Sequence, residues 1–282
     1  MTTTWQCGRF ELSLKRPLLM GIVNVTPDSF SDGNQHFHTD AAIAHAQQLI
    51  AQGADILDIG GESTRPGAEP VSIDDELKRV LPVLEALKPL NIPLSIDTFK
   101  PEVMRACLDA GADIINDVAG FRSDEAVHAV ASSGAGLCIM HMQGEPKTMQ
   151  QAPRYDDLLS EVCSFLLTQV NRLAQAGVQS NRIMLDPGLG FGKTLNQNYE
   201  LLAALPALEV NGLPWLIGLS RKSMIGQITG RDAQHRLAGS LAGMLAAVSL
   251  GARVLRVHDV AESYDALAVW AAVQQRGKHE RT

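Results

Sequence analysis

The segment LSIDTFKPEVMRACLDAGADIINDV, residues 94–118, decides the fold, because it contains one complete strand–helix–strand unit. It begins with the apolar run LSIDT and ends with a second run, IINDV, and polar residues stand near the end of each run. Pro101 stands between them, and proline is favoured in the first turn of a helix, so the pattern predicts a helix over residues 101–110. Nearly continuous Ile, Leu and Val runs of this length are typical of parallel strands that are buried on both faces.

The same unit recurs along the chain. Eight apolar runs predict eight strands, over residues 18–24, 55–60, 94–98, 114–118, 136–141, 183–188, 215–220 and 253–259. Segments with apolar residues at helical spacing alternate with them, over residues 40–52, 73–87, 101–110, 156–176, 197–204, 238–250 and 262–275. About 35 residues per unit is typical of a (β/α)8 TIM barrel, an α/β fold. An open doubly wound sheet is the alternative, but the first run leads into Asn24-Val25-Thr26-Pro27-Asp28 without the glycine-rich phosphate turn of that fold.

The N-terminal segment does not follow this repeat. Residues from Trp5 to Leu14 alternate between apolar and polar around Cys7-Gly8, which predicts a β-hairpin. No Pro- or Ser-rich linker and no low-complexity segment divides the rest of the chain. We therefore expect residues 1–282 to form a single TIM-barrel domain, in which a hairpin of residues 1–16 caps the bottom of the barrel.

The composition argues against several kinds of partner. The chain has 31 acidic residues against 24 Lys and Arg, a formal net charge of −7 and no basic run, so we expect no nucleic-acid binding. The longest uncharged stretch, residues 237–252, is too short and too rich in Gly and Ser to span a bilayer, and the N-terminus lacks a signal-peptide pattern. The four cysteines form no C-x-x-C pair, which favours reduced thiols in the cytoplasm.

Polar side chains stand at the end of every predicted strand. The carboxyl ends of barrel strands form the active-site face, so we expect these side chains to meet there. One group can pair with the N–H groups and carbonyls of a flat nitrogen heterocycle, and consists of Asp97, Asn116 and Asp186. A second group is cationic and favours an anion such as phosphate or diphosphate; it consists of Arg65, Arg221, Lys222, Arg256 and His258.

Other barrel chemistries fit these residues less well. A Schiff-base aldolase needs a Lys within a strand, and none of the eight runs contains one. A metal-dependent amidohydrolase needs His-x-His on its first strand, but His36 and His38 lie well past that strand, and the sixth run ends in Asp186-Pro187 without a His. The chain also lacks a G-x-S-x-G elbow and a Walker A motif.

Eight segments carry more specific patterns: GIVNVTPDSFSDG (21–33), GGESTRPGA (60–68), IDT (96–98), IND (115–117), MHMQGEPKTMQ (140–150), LDPGLGFGK (185–193), GLSRKSMIG (218–226) and RVHDV (256–260). In this order they resemble the motifs of the dihydropteroate synthase family, in its single-domain bacterial form. The resemblance implies a transferase that condenses 7,8-dihydropterin-6-ylmethyl diphosphate with 4-aminobenzoate to 7,8-dihydropteroate and diphosphate. It also implies Mg²⁺ as cofactor, a homodimer and a target of sulfonamides.

The resemblance further implies roles for individual residues. Those expected at the pterin are Asp97, Asn116, Asp186, Lys222 and Arg256. Those expected at the diphosphate are Asn24, Thr64, Arg65, Arg256 and His258, and Asn24 is also the residue expected at the metal. The aminobenzoate site is expected to comprise Thr64, Pro66, Phe191, Ser220 and Lys222. The expected catalytic residues are Asp97, Lys222 and Arg65, and Arg65 and Asp28 lie on two loops that are expected to close over the reactants.

Two alternatives stay open at this point. A methyltetrahydrofolate-dependent methyltransferase barrel shares the Asp/Asn/Asp set but has no use for a diphosphate site, so Asn24, Arg256 and His258 argue against it. A catalytically silent pterin-binding protein has no need of Asn24, Arg65 and Lys222. Turnover with both substrates separates the three possibilities.

Overall fold

The computed structural model describes residues 3–25, 35–64, 67–145 and 147–279. Two antiparallel strands, β1 (Thr4–Cys7) and β2 (Phe10–Ser13), form the expected N-terminal hairpin. The barrel strands are β3 (Leu18–Asn24), β4 (Ile56–Gly60), β5 (Leu94–Asp97), β6 (Ile114–Asp117), β7 (Gly136–Met140), β8 (Ile183–Asp186), β9 (Trp215–Ile217) and β10 (Ala252–Val257). They are parallel and close in the order β10-β3-β4-β5-β6-β7-β8-β9, which confirms the predicted (β/α)8 barrel.

Nine α-helices surround the strands within the described ranges. They are α1 (Gln35–Ala51), α2 (Ile73–Leu87), α3 (Pro101–Ala110), α4 (Asp124–Ala131), α5 (Leu158–Gln175), α6 (Leu195–Ala203), α7 (Ser223–Thr229), α8 (Leu237–Ser249) and α9 (Val260–His279). The sequence patterns predicted neither α4 nor α7, because helices of eight and seven residues are too short to show a clear period. In this part of the chain, no helix combines the length and the apolar character needed to cross a membrane.

Helix α2 illustrates how local sequence sets these elements. The hydroxyl of Ser72 accepts a hydrogen bond from the backbone N–H of Asp75 at 3.1 Å and so caps the helix N-terminus. Val80 and Leu84, four residues apart, are buried against the barrel. Pro82 lies on the exposed side, and the helix continues past it to Leu87. The apolar stripe therefore fixes the orientation of α2 despite the proline.

The hairpin packs against the lower end of the barrel interior. Trp5 is completely buried, and its indole N–H donates to the carbonyl of Arg182 at 2.9 Å. Trp5, Cys7 and Leu14 form one apolar cluster with residues from seven of the eight barrel strands: Leu18, Met20, Ile56, Ile114, Cys138, Met184, Leu216 and Val254. These residues stand early in their strands, so the hairpin fills the end of the barrel opposite to the strand C-termini.

This contact leads to a prediction about Gly136, the first residue of β7. A Cβ atom at Gly136 would lie 2.7 Å from Cys7 Sγ and 3.1 Å from the Trp5 ring, so we expect Gly136→Ala to lower the free energy of unfolding by about 1–3 kcal/mol. Gly134 is a matched control, because a Cβ there meets nothing within 4 Å. Urea unfolding of both variants measures the difference, and equal stabilities would show that the hairpin is not tightly packed on β7.

Candidate active site

The inward faces of the strands carry a polar layer directly above the apolar layer that contacts the hairpin. Residues two apart on a strand point to the same side. Members of the polar layer follow members of the apolar layer by two positions: Asp58 follows Ile56, Asn116 follows Ile114, Asp186 follows Met184 and Arg256 follows Val254. The strand period therefore places charged groups inside the barrel, toward the strand C-termini.

An ion network joins these inward side chains. The Arg256 guanidinium donates from Nε to Asp58 Oδ2 at 2.6 Å and from Nη2 to Asp97 Oδ2 at 2.7 Å. Asp58 also accepts from the Asn116 carboxamide at 3.2 Å and from the Ser95 hydroxyl at 2.6 Å. Asp58 is completely buried and was not among the residues expected from the sequence. It orients one amide and one guanidinium of the expected pterin site.

Asp97 has one carboxylate oxygen without a partner. It is the last residue of β5 and lies in register between Gly60 of β4 and Asn116 of β6. Its Oδ1 atom is buried and has no hydrogen-bond partner among the described residues. Burial raises the pKa of Asp97 to about 7, although Arg256 acts in the opposite direction. This oxygen is therefore an acceptor that a ligand N–H can reach.

Asp186 and Lys222 form a second pair of opposite charges. Asp186 Oδ1 accepts from the backbone N–H of Gly188 at 2.7 Å. Burial raises the pKa of Asp186, and the positive charge of Lys222 opposes this. The Lys222 ammonium donates to the Leu189 carbonyl and lies 4.6 Å from the centre of the Phe191 ring. Burial also lowers the pKa of Lys222, to about 8, so its charge changes close to neutral pH.

A cleft of about 560 Å³ opens at the C-terminal ends of the strands. The expected site residues that line it are Asn24, Thr64, Asp97, Phe191, Ser220, Lys222, Arg256 and His258. Asn116 and Asp186 are buried beside them, next to Asp97 and Lys222 respectively. The structure thus brings together the acid–amide group and most of the cationic group. Three residues with expected roles, Asp28, Arg65 and Pro66, lie outside the described residues.

The cations of the expected anion site differ in their surroundings. The backbone N–H of His258 donates to the Ser220 hydroxyl at 3.2 Å, and His258 Nδ1 lies 3.1 Å from the same oxygen. Arg221 instead pairs with Asp259, with Nε donating to Oδ2 at 3.0 Å. Arg221, Arg256 and His258 all line the cleft, and both arginines are paired with carboxylates: Arg221 with Asp259, and Arg256 with Asp58 and Asp97.

A buried ion cluster supports the segment that follows β4. The Lys100 ammonium lies 2.5 Å from Glu62 Oε2 and 2.6 Å from Glu76 Oε2. The other oxygen of Glu62 accepts from the backbone N–H of Val71 at 3.0 Å. Glu62 therefore connects the beginning of this segment, next to Thr64, with its end at Val71.

A second residue that sequence reasoning missed is Lys193. It is only 2% exposed, and its ammonium lies 3.0 Å from Nδ1 of His141. In the sequence, Lys193 stands out only as the last residue of the LDPGLGFGK motif. A buried Lys depends on how a loop folds over a neighbouring strand, and no local pattern records this.

A metal ion would find few protein ligands in this cleft. In the described residues, no group of three or more His, Cys, Asp and Glu side chains is arranged to hold one. Asn24, at the end of β3, offers one carboxamide oxygen at the cleft. Mg²⁺ commonly keeps several waters and binds one or two protein oxygens together with substrate phosphates. This donor set fits a Mg²⁺ ion held mainly by a bound diphosphate.

Comparison with known proteins agrees with this geometry. Residues 20–258 match the family model described as pterin binding enzyme. The chain is 48% identical over 272 residues to dihydropteroate synthase of Escherichia coli K12, with 96% of each chain covered. Two solved structures are also similar. Burkholderia cenocepacia dihydropteroate synthase, complexed with 7,8-dihydropteroate, has 52% identity and a TM-score of 0.91 over 98% of each chain.

The second structure is Xanthomonas albilineans dihydropteroate synthase with 4-aminobenzoic acid. It has 51% identity and a TM-score of 0.91, over 97% of this chain and 99% of the other. The family model and the full-length relatives therefore agree on one assignment. The chain belongs to the dihydropteroate synthase family of pterin-binding enzymes.

Proposed function

We propose that this chain is a transferase of folate biosynthesis, which joins 7,8-dihydropterin-6-ylmethyl diphosphate to 4-aminobenzoate and releases diphosphate. The observation that carries the proposal is the meeting of an acid–amide set with Lys222, Arg256 and His258 at one cleft. Similar chains that bind 7,8-dihydropteroate and 4-aminobenzoic acid support it.

In this proposal the buried layer binds the pterin ring. The open Oδ1 atom of Asp97 accepts from a ring N–H, and Asp186 accepts from the amino and N–H groups at the guanidine-like edge. Asn116 can donate and accept, and Asp58 holds its amide in place. The chemistry of these acceptors supports a ring with several N–H donors.

The diphosphate then lies toward the cations at the mouth of the cleft. Arg256 and His258 stabilise its negative charge, with Thr64 and Arg65 as further contacts and Asn24 as the protein ligand of Mg²⁺. When bound, Mg²⁺ supplies positive charge that makes the diphosphate a better leaving group. The cations counteract the net charge of −7 locally, which an anionic substrate requires.

The aminobenzoate occupies the part of the cleft lined by Thr64, Phe191, Ser220 and Lys222. The family resemblance adds Pro66, which lies outside the described residues. The Phe191 ring supplies an apolar surface for the aryl ring. The Lys222 ammonium, 4.6 Å above the same ring, is close enough to contact both reactants.

We propose that the C–O bond breaks before the amine attacks. An arylamine is a weak nucleophile, and the electron-rich pterin can carry positive charge on its exocyclic methylene. The Asp97 carboxylate stabilises this developing cation, and Arg256 and His258 stabilise the departing diphosphate. Water must stay excluded until the amine arrives, because water would capture the cation.

Exposed apolar side chains on two helices support a homodimer, and the free cysteine thiols support a cytoplasmic location. Helix α8 packs against α7 and α9, and these two helices expose the large apolar side chains Ile228, Val269 and Val273. The four cysteines are free thiols, as a reducing compartment allows. Sedimentation equilibrium of the purified chain tests the dimer.

Turnover tests the proposed reaction directly. With the pterin diphosphate, 4-aminobenzoate and Mg²⁺, we expect dihydropteroate and diphosphate to appear in equal amounts. A methyltransferase would instead act on methyltetrahydrofolate. Pterin binding without release of diphosphate would contradict the proposal and favour a silent binding protein.

Removal of the Asp186 carboxylate tests the pterin site. We expect Asp186→Ala to weaken binding of a pterin by about 2–5 kcal/mol, roughly 30-fold or more, because a buried charged acceptor is lost. Calorimetry with a pterin that lacks the phosphate arm measures this. Asp109→Ala, at an exposed position on α3, is the control. Unchanged affinity in Asp186→Ala would place the pterin elsewhere.

The pH profile tests the roles of Asp97 and Lys222. The proposal needs Asp97 ionised and Lys222 protonated. As the pH falls through about 7, Asp97 gains a proton, and as it rises through about 8, Lys222 loses one, so activity decreases on both sides. We expect a narrow bell-shaped profile of kcat/KM for the pterin diphosphate. A flat profile between about pH 5 and 9 would contradict these assignments.

A further inference from the structure

Lys193 is the buried cation that the mechanism above does not use. It ends the loop of residues 187–193, which joins β8 to α6. Its ammonium has three partners, at 3.0 Å from the Gly188 carbonyl, 3.1 Å from the Phe191 carbonyl and 3.0 Å from Nδ1 of His141. A protonated amine has three N–H donors, so every donor is used.

All three partners of Lys193 are neutral. Burial lowers the pKa of His141 to about 2, so its imidazole is uncharged and can accept at Nδ1. In the described part of the chain, no carboxylate forms a salt bridge with Lys193. Burial lowers the pKa of Lys193 to about 7, an effect that Asp186 partly opposes. A buried ammonium without an ion pair is costly. Here two of its hydrogen bonds lie within the loop, and the third joins the loop to His141, the residue that follows β7.

The loop leaves little space for another arrangement. A Cβ atom at Gly188 would lie 1.8 Å from the carbonyl oxygen of His141, and one at Gly192 would lie 2.6 Å from that of Gln143. Both glycines have positive φ, of 71° and 61°. The loop backbone therefore lies directly on the segment that follows β7, and Lys193 joins the two from beneath.

Three further carbonyls of the loop are also bound by side chains. Lys222 donates to the Leu189 carbonyl, Gln150 to that of Gly190 at 2.7 Å, and Tyr155 to that of Gly192 at 2.8 Å. Gln150 is exposed and Tyr155 is half-buried. Each of these three side chains holds one loop carbonyl, whereas Lys193 holds two, those of Gly188 and Phe191. Lys193 therefore contributes most to the shape of the loop.

The loop bears on the two substrate sites unequally. The backbone of Asp186 is held by the barrel, because its carbonyl accepts from the backbone N–H of His141 at 3.0 Å, and its carboxylate contacts only the first part of the loop, through the N–H of Gly188. Phe191 lies within the loop, and among the described residues its carbonyl accepts a hydrogen bond from Lys193 alone. Loss of Lys193 should therefore displace the Phe191 ring and the contact between Leu189 and Lys222 more than it displaces the Asp186 carboxylate, whose backbone the barrel holds.

We propose that Lys193 is a positioning residue that sets the aminobenzoate site by fixing the Gly188–Phe191 turn of this loop to His141. The inference rests on the proposed function. It predicts that Lys193 affects the binding of 4-aminobenzoate much more than the binding of the pterin.

Lys193→Met tests this, because it keeps the length of the side chain and removes all three donors. We expect the KM for 4-aminobenzoate to rise about tenfold or more at saturating pterin diphosphate, which corresponds to about 1.4 kcal/mol. We expect the Kd for a pterin to change by less than about threefold. Lys78→Met, at an exposed position on α2, is the matched control and should match the wild type in both.

A purely structural role would give a different result. It would lower the melting temperature and the active fraction, and so kcat, with the KM for 4-aminobenzoate unchanged; that outcome would overturn the inference. An equal loss of affinity for both substrates would overturn it as well. Turnover by the wild type in the same assay tests the proposed function separately, so the two failures are distinguishable.

If Lys193→Met does not fold, the partner residue offers a second test. His141→Phe keeps a ring but removes the acceptor, whereas His141→Asn retains an acceptor oxygen near the position of Nδ1. We expect only His141→Phe to raise the KM for 4-aminobenzoate. The same KM in the two variants would contradict the inference.

Discussion

Inside the barrel, the guanidinium of Arg256 lies between the carboxylates of Asp58 and Asp97. Buried charges are stable only when they are paired and hydrogen-bonded, so neither acid could occupy this depth without the arginine. Asp58 in turn holds the Asn116 amide, and Asp97 keeps one oxygen open. One ion network therefore stabilises the polar layer and leaves one buried oxygen of Asp97 open to a ligand. The apolar layer beneath, closed by Trp5, keeps these interactions strong because it excludes water.

The architecture was predictable because every barrel strand is buried on both faces and so appears as a short apolar run. All eight strands begin within one residue of the predicted start. The ends of the runs were less informative: the run over residues 215–220 contains a strand of only three residues, because its last residues turn toward the cleft. Helices α4 and α7 were missed, since tertiary packing rather than a long period defines helices of one or two turns.

The sequence predicted the site residues that stand at strand ends, but not the inward-facing residue Asp58 that lies within a strand. Asp97 and Asn116 are the residues at which apolar runs stop, and the structure pairs them in register. Asp58 lies within its run, and only the two-residue period that puts it above Ile56 marks it as inward-facing. Arg221 lines the cleft as expected, but nothing in the sequence next to this strand end indicated that Asp259 would pair with it. The roles of Asp58 and Arg221 both depend on contacts with residues far away in the sequence, which local patterns do not record.

The hairpin affects how substrates enter the barrel and how products leave it. Since Trp5 and its neighbours fill the lower end of the barrel, the opening that the described residues leave for reactants and products is the cleft at the strand C-termini. The pterin layer, with Asn116 and Asp186, is deep, whereas Phe191 and Ser220 line the way in. A molecule seated at the entrance therefore bars the passage of anything below it. The different depths of the two sites therefore favour binding of the pterin before the aminobenzoate.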